Sequence, residues 1–278
     1  MTWALFSERV MKVARALAEM GVVPADKVAV YSQNMEQYLV TDFAAFAIRA
    51  VVVPMYATAS PEQVSYIVND ANIKVLFVGE QFQYNNAYKV QQEHKVLQRL
   101  IVFDRQVVFQ PDDTTSVYFD DFIATGENSD SLALVNARLK QLKMDDLAAI
   151  IYTSGTTGEP KGVMLTHANF IAAFRIHDVR LTTFSEKDVS MCFLPLTHIF
   201  EKAWTYYCLY KGALVAVNRV PNEIRETIKQ VRPTVMSNVP RFWEKVYEGV
   251  KKTMESAPWP LKWLFQDAVK TGRRHNLD

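Results

Sequence analysis

Short apolar segments alternate with amphipathic segments along the chain, and this alternation constrains the fold more than any other feature of the sequence. Several segments, including 75–78, 147–152 and, after Lys27, 27–31, are continuously hydrophobic rather than alternately polar and apolar. Strands of that kind lie in sheets that helices cover on both faces. Strands that alternate with helices are typical of parallel pairing. The sequence therefore predicts an α/β fold with largely parallel sheets flanked by helices.

Local signals predict where several of these elements begin and end. Ser60 is a helix cap, with Pro61 at the first helical position and Gln63 three residues after the cap, so a helix begins there and runs to about Asp70. Apolar residues at helical spacing predict a first helix that stops at Gly21. Further strands are expected at 51–54, 100–103, 189–193, 214–217 and 235–237, and surface loops at 109–116 and 126–131.

One glycine-rich segment combines the features of an anion-binding loop. Three of the nine glycines of the chain lie between positions 155 and 162, directly after an apolar strand. Glycine lets several backbone N–H groups point at one anion, and neighbouring hydroxyl groups add donors that can also bind magnesium. Lys161 adds positive charge for a polyphosphate. The candidate binding residues are Thr153, Ser154, Gly155, Thr156, Thr157, Gly158 and Lys161. A plain polar turn between two strands is the competing interpretation.

Two better-known phosphate motifs do not fit this segment. A Walker A loop needs Gly-Lys-Ser/Thr at the start of a helix, whereas Lys161 is followed by Gly162 and an apolar segment that is expected to be a strand. The chain contains no Gly-x-Gly-x-x-Gly, so the sequence gives no indication of a Rossmann dinucleotide site.

Charge and cysteine content exclude further classes of protein. Thirty-one Lys and Arg against thirty Asp and Glu leave a net charge of +1, whereas a nucleic-acid-binding protein carries a basic patch or stripe. Two cysteines make no disulfide framework, and the N-terminal residues do not resemble a signal peptide, so we expect a cytoplasmic protein without a nucleic-acid partner. The basic and aromatic segment 256–274 is compatible with peripheral contact at the inner membrane surface. The interpretation that we favour is a helix whose apolar face would be buried by a partner that is missing from this sequence.

Two motifs give the chain a resemblance to the adenylate-forming superfamily, which includes acyl-CoA ligases, luciferases and peptide-synthetase adenylation domains. Segment 152–163, Tyr-Thr-Ser-Gly-Thr-Thr-Gly-Glu-Pro-Lys-Gly-Val, resembles the phosphate-binding loop of that superfamily. Segment 193–201, Phe-Leu-Pro-Leu-Thr-His-Ile-Phe-Glu, is similar to its Leu-Pro-Leu-x-His motif. Segments 53–60 and 233–246 are similar to long-chain fatty acid–CoA ligases in particular.

The resemblance implies an activity and assigns roles to individual residues. It implies an enzyme that uses ATP and Mg²⁺ to convert a long-chain fatty acid to acyl-AMP and then transfers the acyl group to coenzyme A. Thr153 matches the position whose hydroxyl helps to hold Mg²⁺, and Lys161 matches the lysine that steadies the departing pyrophosphate. His198 matches the histidine near the carboxylate and the α-phosphate, although taken alone it reads as a core histidine. Lys202 replaces a gate tryptophan of some members, and Trp204 follows two residues later, which leaves the acyl chain length open.

The resemblance covers residues 1–278 and stops before the later motifs of the superfamily. We therefore expect a truncated N-terminal domain that binds ATP and the acyl group, with two subdomains that meet near residue 146 and without the C-terminal domain that carries a catalytic lysine. Such a fragment is expected to be inactive alone. Two alternatives stay open: an adenylating enzyme for another carboxylic acid, and a non-catalytic module that binds a nucleotide or an acyl group.

Overall fold

A seven-stranded sheet organises residues 27–166. The computed structural model describes residues 1–153 and 159–277. The strands of the sheet are β1 (Lys27–Tyr31), β2 (Val51–Met55), β3 (Val75–Val78), β4 (Arg99–Val102), β5 (Val117–Tyr118), β6 (Leu147–Thr153) and β7 (Lys161–Thr166). Their order is β5-β4-β3-β1-β2-β6-β7. Neighbouring strands are parallel except β6 and β7, which form an antiparallel hairpin. The largely parallel sheet predicted from the sequence is confirmed.

Helices cover both faces of this sheet, which explains why its strands are continuously apolar. Val28 and Val30 of β1 pack in one hydrophobic cluster, whereas Ala29 and Tyr31 pack in another on the opposite face. The first cluster includes side chains of α1 (Trp3–Glu19), α2 (Glu36–Ala47), α5 (Phe119–Glu127) and α6 (Leu132–Lys140). The second includes side chains of α3 (Pro61–Asp70) and α4 (Gln81–Glu93). Residues 28–31 of β1 are therefore buried whichever way their side chains point.

A second, smaller sheet follows in the chain. It consists of the parallel strands β8 (Val189–Cys192) and β9 (Leu214–Val217). Helix α7 (His167–Arg180) precedes β8, α8 (Ile199–Tyr210) joins β8 to β9, and a 3₁₀ turn (Pro221–Glu223) and α9 (Ile224–Val231) follow β9. The strand expected at 235–237 is reduced to one bridge between Val235 and Ser190.

Most helix boundaries agree with the sequence signals, and one loop assignment is wrong. The Ser60 side chain accepts a hydrogen bond from the backbone N–H of Gln63 at 3.4 Å, and the Gln63 side chain accepts one from the Ser60 N–H at 3.0 Å. This reciprocal cap confirms the predicted start of α3. The expected loop at 126–131 begins too early, because Gly126 lies inside α5, where that helix packs closely against α1.

The chain divides into two compact units, Met1–Met236 and Ser237–Asp278. The second unit contains α10 (Pro240–Glu255) and α11 (Trp259–Leu277), which contact each other. In the described residues, neither of these helices nor any other has the length and apolar character that a membrane span requires. The subdomain boundary near residue 146 stays a prediction.

Candidate active site

The hairpin of β6 and β7 brings two of the candidate residues together. Thr153 ends β6, Lys161 begins β7, and the two are register partners across the hairpin. Both residues are exposed to solvent. The hydroxyl of one and the ammonium group of the other therefore lie at the end of the hairpin where the glycine-rich segment connects the two strands. Five further candidates lie outside the described residues: Ser154, Gly155, Thr156, Thr157 and Gly158.

The hairpin is anchored one residue pair away from this connecting segment. The buried Tyr152 donates a hydrogen bond from its hydroxyl to Asp70 at the end of α3. Burial raises the pKa of Tyr152, and the hydrogen bond to Asp70 raises it further, so the hydroxyl stays protonated and can donate. Gly162 lies opposite Tyr152, and a Cβ at that position would approach Ile150 Cγ2 to 2.8 Å. The glycine thus leaves room for the side chains that hold the hairpin to the sheet.

His198 stands at the first turn of α8 rather than in the core. The residue is the N-cap of the helix, and its Nδ1 accepts a hydrogen bond from the backbone N–H of Phe200 at 3.3 Å. Its own backbone N–H donates to the Pro195 carbonyl at 2.9 Å. The residue is exposed to solvent. This exposure argues against the core-histidine interpretation and leaves the imidazole accessible to a ligand.

Asn34 ties the loop before His198 to the first sheet. Its side-chain Nδ2 donates to the Leu194 carbonyl at 2.8 Å, and its Oδ1 accepts from the Leu196 N–H at 3.0 Å. Asn34 follows β1 closely and is only 6% exposed. Ligand sites of parallel sheets form at the carboxyl ends of the strands, so a polar residue soon after β1 was a signal that could have identified Asn34.

A second connection joins the carboxyl ends of the two sheets. Arg219, which follows β9, donates to Glu80 Oε1 at 2.7 Å and to Asp104 Oδ2 at 2.5 Å. Glu80 and Asp104 follow β3 and β4 closely. No local pattern around Arg219 distinguishes it from a solvated surface arginine, so the sequence alone does not select it.

The two residues considered for an acyl gate are buried in the described structure. Lys202 and Asp42 are both fully buried and form an ion pair, with 2.5 Å between Nζ and Oδ2. The indole N–H of Trp204 donates to Ser190 Oγ at 2.9 Å, and its ring packs against Phe184. Trp204 is therefore a core residue of the β8–α8–β9 segment here, and the chain length of the acyl group stays open.

The residue that the resemblance assigns to Mg²⁺, Thr153, lies among the described residues and is exposed to solvent. Mg²⁺ is usually bound by one or two carboxylates together with waters and substrate phosphates. Within residues 1–153 and 159–277, no three His, Cys, Asp or Glu side chains form a group that could hold a metal ion. The exposed Lys161 and Thr153 suit the phosphates themselves.

Comparison with known proteins identifies the family. The family model for AMP-binding enzymes matches residues 1–268. A probable CoA ligase of Humulus lupulus is 29% identical over 96% of this chain and 41% of its own length. Peroxisomal long chain acyl-CoA synthetase 7 of Arabidopsis thaliana is 32% identical over 91% of this chain and 36% of its own length. A long-chain-fatty-acid–CoA ligase of Homo sapiens is 31% identical over 98% of this chain and 41% of its own length.

Solved structures share the fold. The anthranilate CoA ligase AuaEII, in complex with anthranoyl-AMP, superposes with a TM-score of 0.73 and 22% identity, covering 86% of this chain and 44% of the ligase. ATP-bound MatB from Rhodopseudomonas palustris superposes with a TM-score of 0.67 and 23% identity, covering 88% of this chain and 45% of MatB. The chain spans about two fifths of the length of the curated relatives named above. It belongs to the family of AMP-binding enzymes and corresponds to the N-terminal part of its acyl-CoA synthetase relatives.

Proposed function

We propose that the chain is the nucleotide- and acyl-binding part of an ATP-dependent acyl-CoA ligase. The observation that supports this function most directly is the β6–β7 hairpin, in which Thr153 and Lys161 are register partners on either side of the glycine-rich segment. A hydroxyl and an ammonium group that flank the connecting segment of an anchored hairpin suit a polyphosphate. The proposed reaction joins a carboxylate to AMP and then transfers the acyl group to the thiol of coenzyme A.

The first reaction needs positive charge and hydrogen-bond donors. A carboxylate oxygen attacks the α-phosphorus, the bond from that phosphorus to the bridging oxygen breaks, and pyrophosphate leaves with the electron pair. An anion thus attacks an anionic phosphate, so charge stabilisation is the main task of the site. In the proposed complex, Lys161 binds the phosphates that depart. His198 contacts the carboxylate and the α-phosphate from the first turn of α8.

We propose a long-chain fatty acid as the acid substrate. Two of the relatives are named as long-chain enzymes, and segments 53–60 and 233–246 resemble that branch. Another carboxylic acid is the second candidate, because one relative is named only as a probable CoA ligase and one structural neighbour is an anthranilate ligase. The proposed small-molecule partners are the acid, ATP and coenzyme A, and the proposed location is the cytoplasm. Palmitate is the first acid to test.

A titration of this chain tests the phosphate site. Pyrophosphate or ATP should shift the amide resonances of residues 155–158 in a spectrum of the labelled protein. Lys161→Ala should weaken binding by about 1–3 kcal/mol, the scale of a charge-assisted contact. Lys140→Ala, which removes an exposed lysine at the end of α6, should leave binding unchanged. Unshifted amides at millimolar ligand in a folded sample would contradict the assignment.

An assay of the 278-residue chain and of a longer protein tests the activity. Palmitate, ATP, Mg²⁺ and coenzyme A are added, and AMP and palmitoyl-CoA are measured. We propose that the 278-residue chain gives little product and that the protein extended to the length of its relatives gives palmitoyl-CoA with equal amounts of AMP. Binding of ATP without product in the extended protein would favour a non-catalytic binding module instead.

A further inference from the structure

Helix α8 presents polar side chains to the protein core, which is unusual for a helix that joins two strands. Glu201, Lys202 and Thr205 are each no more than 1% exposed. Helices of this kind normally bury an apolar stripe, and a buried charge is costly unless it is paired and hydrogen-bonded. The charged residues in the first turns of α8 therefore require a physical reason.

Lys202 is held by three groups inside the core. Its ammonium nitrogen lies 2.5 Å from Asp42 Oδ2 and donates to the Tyr206 hydroxyl at 3.2 Å. It also lies 4.8 Å from the centre of the Tyr38 ring, which is the range of a cation–π contact. The Tyr206 hydroxyl donates to the same Asp42 oxygen at 2.6 Å. We call Tyr38, Asp42, Lys202 and Tyr206 the buried cluster.

The buried cluster is bonded directly to the residue that the proposed function uses. The backbone N–H of Lys202 donates to the carbonyl oxygen of His198 at 3.1 Å, the first hydrogen-bonded turn of α8. The side chain of the same lysine is fixed by Asp42 in α2. Lys202 thus connects the backbone of His198 to α2, a helix that packs against the larger sheet.

The loop before His198 is held by the same region of the chain. Asn34 bonds the backbone of Leu194 and Leu196, and it lies two residues before α2 begins. Residues 34–42 therefore fix the backbone on both sides of His198. The loop is fixed through Asn34 and the first turn of α8 through Asp42.

We propose that the buried cluster positions His198 for the reaction, a proposal that rests on the function proposed above. A buried ion pair is seldom the most stable filling for a core, since apolar residues of similar volume are often equal or better. A charged pair instead favours one arrangement of the two helices, because any shift leaves a buried charge unpaired. Asp42, Lys202, Tyr206 and Tyr38 are positioning residues in this account, since they act through the backbone of His198.

An apolar double variant separates positioning from stability. Asp42→Leu with Lys202→Met keeps the branched shape of the first side chain and the extended shape of the second, and it removes both charges. The buried Tyr206 hydroxyl loses its acceptor in this variant, so we expect a melting temperature a few degrees below that of the wild type, together with shifted or broadened imidazole resonances of His198 in the 278-residue chain. His198→Gln assigns those resonances. In the extended protein, kcat for acyl-AMP formation should fall about 10- to 100-fold, the effect of a displaced catalytic group, while KM for ATP stays nearly constant.

Two neighbouring tyrosines provide a matched control that avoids a change of charge. Tyr206 and Tyr207 both lie in α8, and each donates one hydroxyl hydrogen bond to an aspartate. The partner of Tyr206 is Asp42, whereas the partner of Tyr207 is Asp178 in α7. Tyr206→Phe should shift the His198 resonances and lower kcat, and Tyr207→Phe should do neither. This pair decides the question if the double variant does not fold.

The outcomes distinguish this proposal from the proposed function. Unchanged His198 resonances and unchanged kcat in both the double variant and Tyr206→Phe would overturn the positioning role. Equal effects of Tyr206→Phe and Tyr207→Phe would also overturn it, because α8 would then respond to any lost hydroxyl. The resonances require no turnover. Shifted resonances in a protein whose wild type forms no acyl-AMP would refute the proposed function and leave the contact between cluster and histidine established.

Discussion

At the scale of single residues, His167 shows how burial can outweigh a nearby charge in setting a pKa. It lies in the first turn of α7, and its ring packs edge-on against Phe46 with 5.1 Å between ring centres. Its Nε2 atom is buried and has no hydrogen-bond partner in the described structure. Burial lowers the pKa of His167, and the nearby Asp146 offsets this only in part. The neutral imidazole is therefore the form that the folded protein accommodates.

This lowered pKa makes stability depend on pH in a stated direction. The unfolded chain binds the His167 proton more tightly than the folded protein, so the contribution is present above the ordinary value of 6.5 and is lost as pH falls towards the folded pKa. His167→Gln should therefore reduce the decline of unfolding free energy between about pH 7 and pH 5. Urea unfolding at several pH values measures this slope. Identical slopes for variant and wild type would show that His167 is not responsible.

Local motifs select some of the candidate site residues and do not select others. Thr153, Lys161 and His198 belong to contiguous patterns whose chemistry is visible without a structure. Asn34 makes its contacts with Leu194 across 160 positions of sequence. A single asparagine near the end of a strand has many ordinary roles, so its function as a bridge depends on tertiary packing that periodicity does not specify.

At the scale of elements, the contact between α1 and α5 depends on one glycine. A Cβ at Gly126 would lie 1.9 Å from the backbone carbonyl oxygen of Lys12, a distance that no relaxed structure permits. The two helix backbones approach each other too closely for any side chain at this position. The sequence pattern predicts a loop from Gly126 because glycine and polar residues follow one another there, and the same glycine serves here to let two helices meet.

Gly126→Ala should destabilise the protein, although alanine favours helices in general. Forcing α5 away from α1 should cost about 1–3 kcal/mol, the usual range for an overpacked core, and that outweighs the gain of about 1 kcal/mol in helix propensity. Gly249→Ala is the control. That glycine lies in α10, and a methyl group added there would have no neighbouring atom within 4 Å, so only the gain in helix propensity should remain. The temperature of the main thermal transition should fall in Gly126→Ala and should not fall in Gly249→Ala, whose glycine lies in the second unit. A stabilised Gly126→Ala protein would refute the close approach.

At the scale of the whole molecule, the hydrophobic core belongs to the first of the two units. The buried apolar side chains of the described residues all lie between Val13 and Ala213. The sequence predicted the sheet that contains them, because continuous apolar strands have few alternative arrangements. It did not predict a unit beginning at Ser237, because amphipathic helices such as α10 have the same pattern whether or not they share a core with the preceding elements.

A shortened chain of residues 1–236 should therefore fold by itself. It retains every apolar side chain that is buried in the described structure, so the main thermal transition should stay cooperative and within a few degrees of its position in the full chain. Calorimetry or circular dichroism on both proteins measures this. Loss of the cooperative transition in the shortened chain would show that α10 and α11 are needed for the first unit to fold.

The two anchors in segment 34–42 have a mechanical consequence. The histidine loop follows a strand of the smaller sheet, yet Asn34 and Asp42 attach it to the larger one, in which β2 lies beside β6 and β6 leads into the hairpin with Lys161. The backbones of His198 and Lys161 are consequently both held by contacts to the larger sheet or to the helices that cover it. The contacts of Asn34 and Asp42 resist rotation of the smaller sheet relative to the larger one. We therefore expect thermal motion to change the distance between His198 and Lys161 less than it would if the two sheets moved independently.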